Sequence, residues 1–184
     1  MDSFQKKKNE YLHEISKLIL SRGIAYCSLK KMAETAATSD RMLMHYFKDK
    51  NEILTLALKN ISQDMLLLLS RSPVGELNFK ELVMFLKESI RSTAIKPYLD
   101  LWFELIYLAS GNKEPYRSIA QEIGDSYWNW IIKIYTPACN EDKESMTALL
   151  FTLTEGIVML DKMGMSEKGD SAVNTILEAF MKES

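Results

Sequence analysis

The sequence predicts an all-α protein built from about nine helices. Apolar residues recur every three or four positions along the chain, which is the spacing of one face of a helix. Seven glycines and four prolines among 184 residues are too few for the many turns of a sheet, and no segment alternates apolar and polar residues as a strand does. With 47% hydrophobic residues, the chain can bury a sizeable core.

Capping residues divide the N-terminal quarter of the chain into three helices and the start of a fourth. Gly23 closes the first helix, since glycine favours the backbone that follows a helix. Ser28 and Ser39 can cap two short helices. Asp49, with Glu52 three residues later, has the capping-box pattern that begins a long fourth helix.

Proline, glycine and asparagine separate five further helices. The turn at residues 72–75 ends the fourth helix, and Asn78 with Glu81 forms a capping box for the fifth. Proline fits the first turn of a helix and glycine its end. The sixth to ninth helices are therefore bounded by Pro97, Gly111, Asn112, Pro115, Pro137, Asn140 and Gly164.

Residues 28–47 have the pattern of a helix, a tight turn and a short helix. Ala33, Ala36 and Ala37 are small enough to let the two helices approach closely at a sharp angle. The second helix would then point these residues outward: Asp40, Arg41, Met42, Met44 and His45. Such a helix fits the major groove of DNA, so the pattern predicts a helix-turn-helix DNA-binding unit.

The same segment resembles the tetracycline-repressor (TetR) family of transcriptional regulators. The match runs over about residues 8–58 and consists of Arg22-Gly23, Cys27-Ser28-Leu29, Met32-Ala33, Ala36-Ala37-Thr38-Ser39, Met44-His45-Tyr46-Phe47 and Lys48-Asp49-Lys50. The resemblance implies a DNA-binding domain over residues 1–50 and a helical effector-binding and dimerisation domain over residues 51–184. It also implies a homodimer that binds a palindromic operator, acts as a repressor and is released by a small effector, with no cofactor.

The predicted DNA contacts are Ser28, Ser39, Arg41, Met42, Met44, His45, Tyr46 and Lys50. Arg41 is the best candidate for reading a base because a guanidinium can hold guanine through two hydrogen bonds, although it can equally contact a phosphate or remain solvated. By resemblance, His45 contacts DNA and Lys50 contacts phosphate. Tyr46 can belong to the core or bond a phosphate.

Four positions depart from the family pattern. Ala37 replaces the glycine of the turn, so the turn must avoid a strongly left-handed backbone or accept strain. Asp40 stands where a cation is frequent, Met42 replaces a small or hydroxyl residue, and Met44 replaces a tyrosine. These changes leave open a second interpretation, a helical small-molecule-binding or protein-interaction module that has lost DNA binding.

Charge is distributed unevenly along the chain. Residues 1–52 contain ten Lys or Arg and seven Asp or Glu, a net charge of +3, whereas the whole chain carries −2 and the remainder therefore −5. A basic head on an acidic body suits a protein that touches a polyanion with one end.

Aromatic and methionine side chains are frequent between residues 53 and 135, where they can line an adaptable apolar cavity or an ordinary core. The predicted effector-binding residues are Met65, Met84, Trp102, Phe103, Glu104, Tyr107, Tyr127 and Trp130. Glu104 lies at the margin of an apolar helix face, where a carboxylate needs a partner or a ligand. We therefore expect a mostly apolar effector, cationic if Glu104 faces it, although Arg91 or Lys96 could satisfy the carboxylate instead.

The last two long helices carry the predicted dimer interface, a four-helix bundle with two helices from each chain. Its residues are Met146, Leu149, Leu153, Gly156, Ile157, Leu160, Val173, Ile176, Leu177 and Phe180. Two-fold symmetry doubles the DNA site that one short helix can read. The alternative is that both apolar stripes only close the monomer's own core.

Other functions find little support in the sequence. There is no nucleotide-binding or hydrolase motif, and His13 and His45 have no zinc-binding spacing, so we expect neither an enzyme nor a metal site. Cys27 and Cys139 form no disulfide framework and are expected as reduced thiols of a cytoplasmic protein. No apolar run approaches the roughly 20 residues that cross a membrane.

Overall fold

The computed structural model describes residues 3–71, 75–139 and 141–182. Within these ranges the chain forms nine α-helices and one isolated parallel β-bridge, between Leu77 and Tyr135. The all-α class and the number of helices are thus confirmed. The helices are α1 (Ser3–Arg22), α2 (Leu29–Thr35), α3 (Asp40–Tyr46), α4 (Lys50–Ser70), α5 (Phe79–Arg91), α6 (Lys96–Ser110), α7 (Tyr116–Ile134), α8 (Lys143–Lys162) and α9 (Ser166–Lys182).

Several helix starts have the capping interactions that the sequence predicts. The Asn78 side chain accepts a hydrogen bond from the Glu81 N–H, and the Glu81 carboxylate accepts one from the Asn78 N–H, both at 3.0 Å. Asp49 accepts from the Glu52 N–H at 2.8 Å. The Glu52 carboxylate, however, accepts from the Lys48 N–H at 2.5 Å, so the N-terminus of α4 has a modified capping box.

The start of α8 differs from the prediction. The sequence predicts a start near Asn140, which lies outside the described residues, but the helix begins at Lys143. Asp142 is the N-cap and accepts a hydrogen bond from the Ser145 N–H at 2.8 Å. Aspartate and asparagine cap helices equally well, so sequence alone could not separate the two candidates. Of the predicted turn at residues 72–75, only the last residue is described.

Packing divides the chain into two compact units. The first comprises the described parts of Met1–Leu68 and Pro97–Gly124. Its core joins α1, α2 and α3 with α4, α6 and the start of α7 through buried residues that include Ile15, Ile19, Met32, Leu43, Ile53, Leu58, Leu101, Leu105 and Ile119. The predicted boundary at residue 50 separates a DNA-binding function from effector binding and dimerisation. It does not refer to packing, so it stays a prediction.

The second unit comprises the described parts of Leu69–Lys96 and Asp125–Ser184. In it α5 packs against α8, and α8 packs against α9. The buried face of α5 consists of Phe79, Leu82, Val83, Leu86 and Ile90, and this helical periodicity is the one that the sequence shows.

A charged cluster connects α5, α8 and α9 in the second unit. Arg91 of α5 donates to Asp161 of α8 at 2.9 Å and pairs with Asp170 of α9 at 3.0 Å. Lys87 of α5 pairs with Asp170 at 2.8 Å. The hydrogen bond from Arg91 holds the pKa of Asp161 below its usual range, and the bonds from Lys87 and Arg91 do the same for the pKa of Asp170.

Helix α4 is the one helix in the described ranges that is long and apolar enough to cross a membrane, judged by length and composition alone. Its apolar face is used inside the first unit, where Ile53, Leu54, Ala57 and Leu58 are each at most 2% exposed. Because the core helix of a soluble protein passes the same test, α4 is no argument for a membrane protein.

Candidate functional site

Two serine caps fix the starts of α2 and α3. The Ser28 hydroxyl accepts a hydrogen bond from the Lys31 N–H, and the Ser39 hydroxyl accepts one from the Met42 N–H, both at 3.2 Å. These bonds satisfy N–H groups that the first turn of a helix leaves unpaired. Both serines are exposed, so each hydroxyl proton still faces solvent.

The turn between α2 and α3 is left-handed at Ala37, whose φ is +50°. This residue follows the C-cap Ala36. The Ala37 N–H donates to the Glu34 carbonyl at 3.1 Å, and the Thr38 N–H donates to the Ala33 carbonyl at 2.9 Å. This pair of hydrogen bonds is the Schellman motif, which usually has glycine at the left-handed position. Of the two possibilities left by the sequence, the turn accepts strain.

Helix α3 has one buried side and one exposed side. Leu43 is buried in the core of the first unit. The exposed side carries Asp40, Arg41, Met42 and His45. Met44 is half-buried and packs against the core, so its predicted outward orientation is wrong. Met44 lies in the last turn of α3, close to the C-cap Phe47, which is buried in that core.

An aromatic group joins the start of α1 to the end of α3. Tyr46 stacks on Phe4 with ring centroids 4.5 Å apart and meets the edge of Tyr11 at 5.3 Å. His45 contacts Phe4 edge-on at 5.7 Å. Tyr46 is half-buried, so its ring belongs to the core while it borders the exposed surface. Sequence reasoning missed Phe4, which precedes the periodic apolar face of α1.

The basic residues of the first unit differ in how they are engaged. Lys8 pairs with Glu52 at 2.7 Å, and Lys7 pairs with a neighbouring glutamate of α1 at 2.9 Å. Lys50 is exposed at the first residue of α4, and Arg41 is exposed on α3. The side chains of Arg41 and Lys50 therefore lie on the surface, and their contact with DNA stays a prediction.

Comparison with solved structures decides the fold. EbrR, a multidrug-binding protein solved in complex with proflavin, matches with a TM-score of 0.72 at 15% identity, covering 94% of this chain and 98% of that chain. A protein from Rhodococcus sp. that is assigned to the TetR family of transcriptional regulators gives 0.68 at 16% identity, covering 95% and 98%. The chain has the TetR fold.

A further solved structure has the same fold as this chain. FadR, a transcriptional regulator from Bacillus subtilis solved in complex with stearoyl-CoA, matches with a TM-score of 0.62 at 16% identity, covering 90% of this chain and 95% of that chain. At such identities the likeness establishes the fold. No family model matches the sequence, and no curated protein matches it either.

Glu104, on α6 of this TetR fold, bonds to the turn between α1 and α2. Its carboxylate accepts hydrogen bonds from the Ile24 N–H at 2.8 Å and the Ala25 N–H at 2.7 Å. These amides satisfy the carboxylate, so the predicted partners Arg91 and Lys96 are wrong. With both oxygens engaged, Glu104 has no need of a ligand, and we withdraw it from the effector-binding residues.

The other predicted effector residues are divided between the two units. Met65, Trp102, Phe103 and Tyr107 belong to the first unit, and Met84, Tyr127 and Trp130 belong to the second. Tyr107 is 77% exposed, which is the opposite of a cavity lining. The structure does bring Tyr127 and Trp130 together as stacked rings 5.8 Å apart.

Two phenylalanines complete this aromatic cluster of α5, α7 and α8. The ring centroids of Phe85 and Trp130 are 6.3 Å apart, and those of Phe151 and Tyr127 are 5.6 Å apart. Trp130 donates from Nε1 to the Ser70 hydroxyl at 3.0 Å. Burial raises the pKa of Tyr127 far above its usual value. Sequence reasoning missed Phe151 because α8 was assigned to dimerisation.

The predicted dimer residues are only partly exposed. Ile157 and Val173 are 3% and 0% exposed, so they belong to the monomer's own core and their assignment to the interface is wrong. Phe180 stacks on Phe79 of α5 with centroids 4.4 Å apart. The remaining residues are half-buried or exposed: Met146, Leu149, Leu153, Gly156, Leu160, Ile176 and Leu177.

Two exposed methionines at the C-terminal end of α8 were not predicted: Met159 in the last turns of the helix and Met163, its C-cap. Met159 and Met163 are 56% and 62% exposed. A Cβ added at Gly156 would meet no atom within 4 Å. This side of α8 therefore presents apolar side chains and an open backbone to solvent within one subunit.

The two cysteines have different environments. Cys27 is buried and donates from Sγ to the Gly23 carbonyl at 3.2 Å, whereas Cys139 is exposed. Burial raises the pKa of the Cys27 thiol to about 11, so it stays protonated and is a poor nucleophile at neutral pH. In the described part of the chain, no group of three or more His, Cys, Asp or Glu residues is placed to hold a metal ion.

Proposed function

We propose that the protein is a ligand-responsive transcriptional regulator that binds a palindromic DNA operator as a homodimer. The observation that carries this proposal is the two-sided α3 of a TetR fold, in which Leu43 is buried while Arg41, Met42 and His45 are exposed. In helix-turn-helix proteins such a helix enters the major groove. The proposed regulator is a cytoplasmic repressor with no catalytic activity.

Five exposed side chains have a proposed role on DNA. Arg41 reads a base edge, for which its guanidinium offers two parallel donors. Lys50 and the hydroxyls of Ser28 and Ser39 contact phosphates, because side-chain donors and helix N-termini commonly do so. Met42 supplies an apolar contact of the kind that a thymine methyl group accepts.

We assign the effector contact to the aromatic cluster of α5, α7 and α8. Phe85, Tyr127, Trp130 and Phe151 offer stacked and tilted rings, which suit a small, mostly apolar molecule. EbrR was solved with proflavin and FadR with stearoyl-CoA, and those ligands belong to those proteins. Proflavin is a practical first probe, with quenching of tryptophan fluorescence as the readout.

The proposed dimer uses the exposed side of α8. Met159, Met163 and the open backbone at Gly156 support this surface, since a buried apolar contact stabilises a permanent interface. Ile157 and Val173 serve the fold of each subunit instead.

Selection of DNA from a random pool, followed by fluorescence anisotropy over a range of salt, tests DNA binding. Lys50→Ala should weaken binding to all sequences and lower the salt slope by about one. Arg41→Ala should weaken operator binding by roughly tenfold or more and relax one base position. Lys80→Ala removes the same charge from an exposed position on α5 and should change neither. An Arg41→Ala, Lys50→Ala double variant that binds the selected operator as wild type does would contradict the proposed surface.

One observation favours a second candidate function, a helical ligand-binding or protein-interaction module without DNA binding. Asp40 and Met42 are both exposed on α3, and neither donates a hydrogen bond to phosphate. The same selection distinguishes the two candidates. Failure to enrich any sequence, together with saturable quenching by an apolar ligand, supports the second.

A further inference from the structure

Two hydrogen bonds join α6 to the turn between α1 and α2. Glu104 Oε2 accepts from the Ile24 N–H at 2.8 Å, and Oε1 accepts from the Ala25 N–H at 2.7 Å. Hydrogen bonds to an ionised carboxylate are roughly twice as strong as neutral ones. Each oxygen therefore fastens one amide of the turn to a helix that lies about 80 residues later in the chain.

Both sides of this contact are anchored in one core. Leu101 and Leu105, which flank Glu104 on α6, are 6% and 1% exposed. Ile24, which supplies one of the two N–H groups, is 3% exposed and belongs to the same core. Glu104 as a residue is half-buried. Glu104 is therefore held in a fixed position rather than extended into solvent.

Gly23 provides the space that the contact requires. Its φ is +83°, and a Cβ at this position would lie 2.6 Å from Glu104 Oε2. That distance is shorter than carbon and oxygen atoms tolerate, so a larger residue would displace the carboxylate. Gly23 thus both ends α1 and admits a partner from α6.

The α1–α2 turn, which Glu104 binds, leads directly into α2 and α3, the helices of the proposed DNA-binding unit. Ala25 lies three residues before Ser28, the N-cap of α2. The direction of α2 relative to α1 depends on this turn, and α3 follows α2 through the left-handed turn at Ala37. The α1–α2 turn therefore contributes, together with the shared core and the Phe4–Tyr46 contact, to how α2 and α3 sit against α1.

We propose that Glu104 is a positioning residue for the helix-turn-helix, which holds the α1–α2 turn in the orientation in which α3 reads DNA. The inference rests on the proposed function as a DNA-binding regulator and adds α6 to the DNA-reading unit.

Glu104→Gln tests the inference with almost no change in side-chain size. The amide oxygen still accepts one N–H, but the NH₂ group faces the other donor, so one bond is lost and a repulsive contact replaces it. If each head then keeps the reading orientation about a third of the time, the affinity of a two-headed dimer for its operator falls about tenfold. Glu104→Asp, which is too short to reach both amides, should act in the same direction.

Glu141→Gln is the matched control. Glu141 accepts hydrogen bonds from the Ala138 N–H at 2.7 Å and the Tyr135 hydroxyl at 2.5 Å, and all three residues belong to the second unit. Both bonds end on Glu141 Oε2, so the amide oxygen of Gln can still accept them, but without the charge that strengthens them; the substitution should lower the urea midpoint slightly while leaving operator affinity unchanged. An equal loss of operator affinity in both variants would show general destabilisation and overturn the inference.

Amide hydrogen exchange on the free, full-length protein gives a readout that needs no DNA. In Glu104→Gln, exchange should accelerate at Ile24 and Ala25 and also across α2 and α3, whereas Glu141→Gln should leave these amides unchanged. Acceleration confined to Ile24 and Ala25 would make Glu104 a local cap and overturn the inference. Acceleration across α2 and α3 in a protein that selects no DNA would support the positioning role while the proposed function fails.

Discussion

Replacing Ala37 with glycine should stabilise the protein. The Ala37 backbone is left-handed, with φ +50°, and this region costs an L-residue about 1–2 kcal/mol relative to glycine. Glycine in turn gives the unfolded chain extra freedom, which opposes the gain by about 0.4–1 kcal/mol. Because Ala37 is exposed, removing its methyl group leaves no cavity. The free energy of unfolding should therefore rise by about 1 kcal/mol.

Urea denaturation at a fixed protein concentration measures this change, with thermal unfolding as a second readout. A gain of about 1 kcal/mol should raise Tm by roughly 2–4 °C for a chain of this size. Ala94→Gly is the control, since Ala94 is an exposed turn residue outside the left-handed region. It should lower the free energy of unfolding by about 0.4–1 kcal/mol. A loss of stability in Ala37→Gly equal to that in the control would refute the left-handed turn.

Three further predictions concern the core, the charged cluster and the dimer. Leu43→Ala should lower the free energy of unfolding by about 2–5 kcal/mol, because the side chain is fully buried; a loss under 1 kcal/mol in urea denaturation would contradict this packing. The lowered pKa values of Asp161 and Asp170 contribute stability that is present above the unfolded pKa of about 3.9 and is lost as pH falls through the folded values. The urea concentration at the unfolding midpoint should therefore decrease once the pH is below about 4. This decrease should be smaller in Asp161→Asn. Met159→Glu should shift the proposed dimer toward a monomer of 21.2 kDa in sedimentation, whereas Tyr107→Glu, at a more exposed site on α6, should not; a wild type that is already monomeric would contradict the dimer.

Local chemistry made much of this fold predictable. Ser28, Ser39 and Asn78 cap helices in the structure because a short polar side chain satisfies N–H groups a few residues away. Likewise, the outward residues predicted for the second short helix left out Leu43, which the structure buries. These interactions connect residues that are close in sequence, so they can be predicted from the sequence alone.

The interactions that were missed depend on distant partners. Glu104 sits at the margin of an apolar face, and only the tertiary structure shows that the amides of Ile24 and Ala25 satisfy it. The apolar stripe of α8, which contains Ile157, and that of α9, which contains Val173, have the same periodicity whether they face a second subunit or the monomer's own core. Only the tertiary structure, in which α5 and α9 pack against α8, shows that both residues are buried within one subunit.

The different environments of Cys27 and Cys139 mean that the unmodified protein should react with a thiol reagent in two phases. Cys139 is exposed and should react at the rate of a free thiol. Cys27 is buried, with a pKa of about 11, and should react only when the first unit opens locally. When reclosing is faster than modification, the slow rate divided by the rate of a free thiol gives the population of the open form. The native sequence thus contains an internal reporter of how often the helix-turn-helix unit opens, and adding operator DNA should lengthen the slow phase alone.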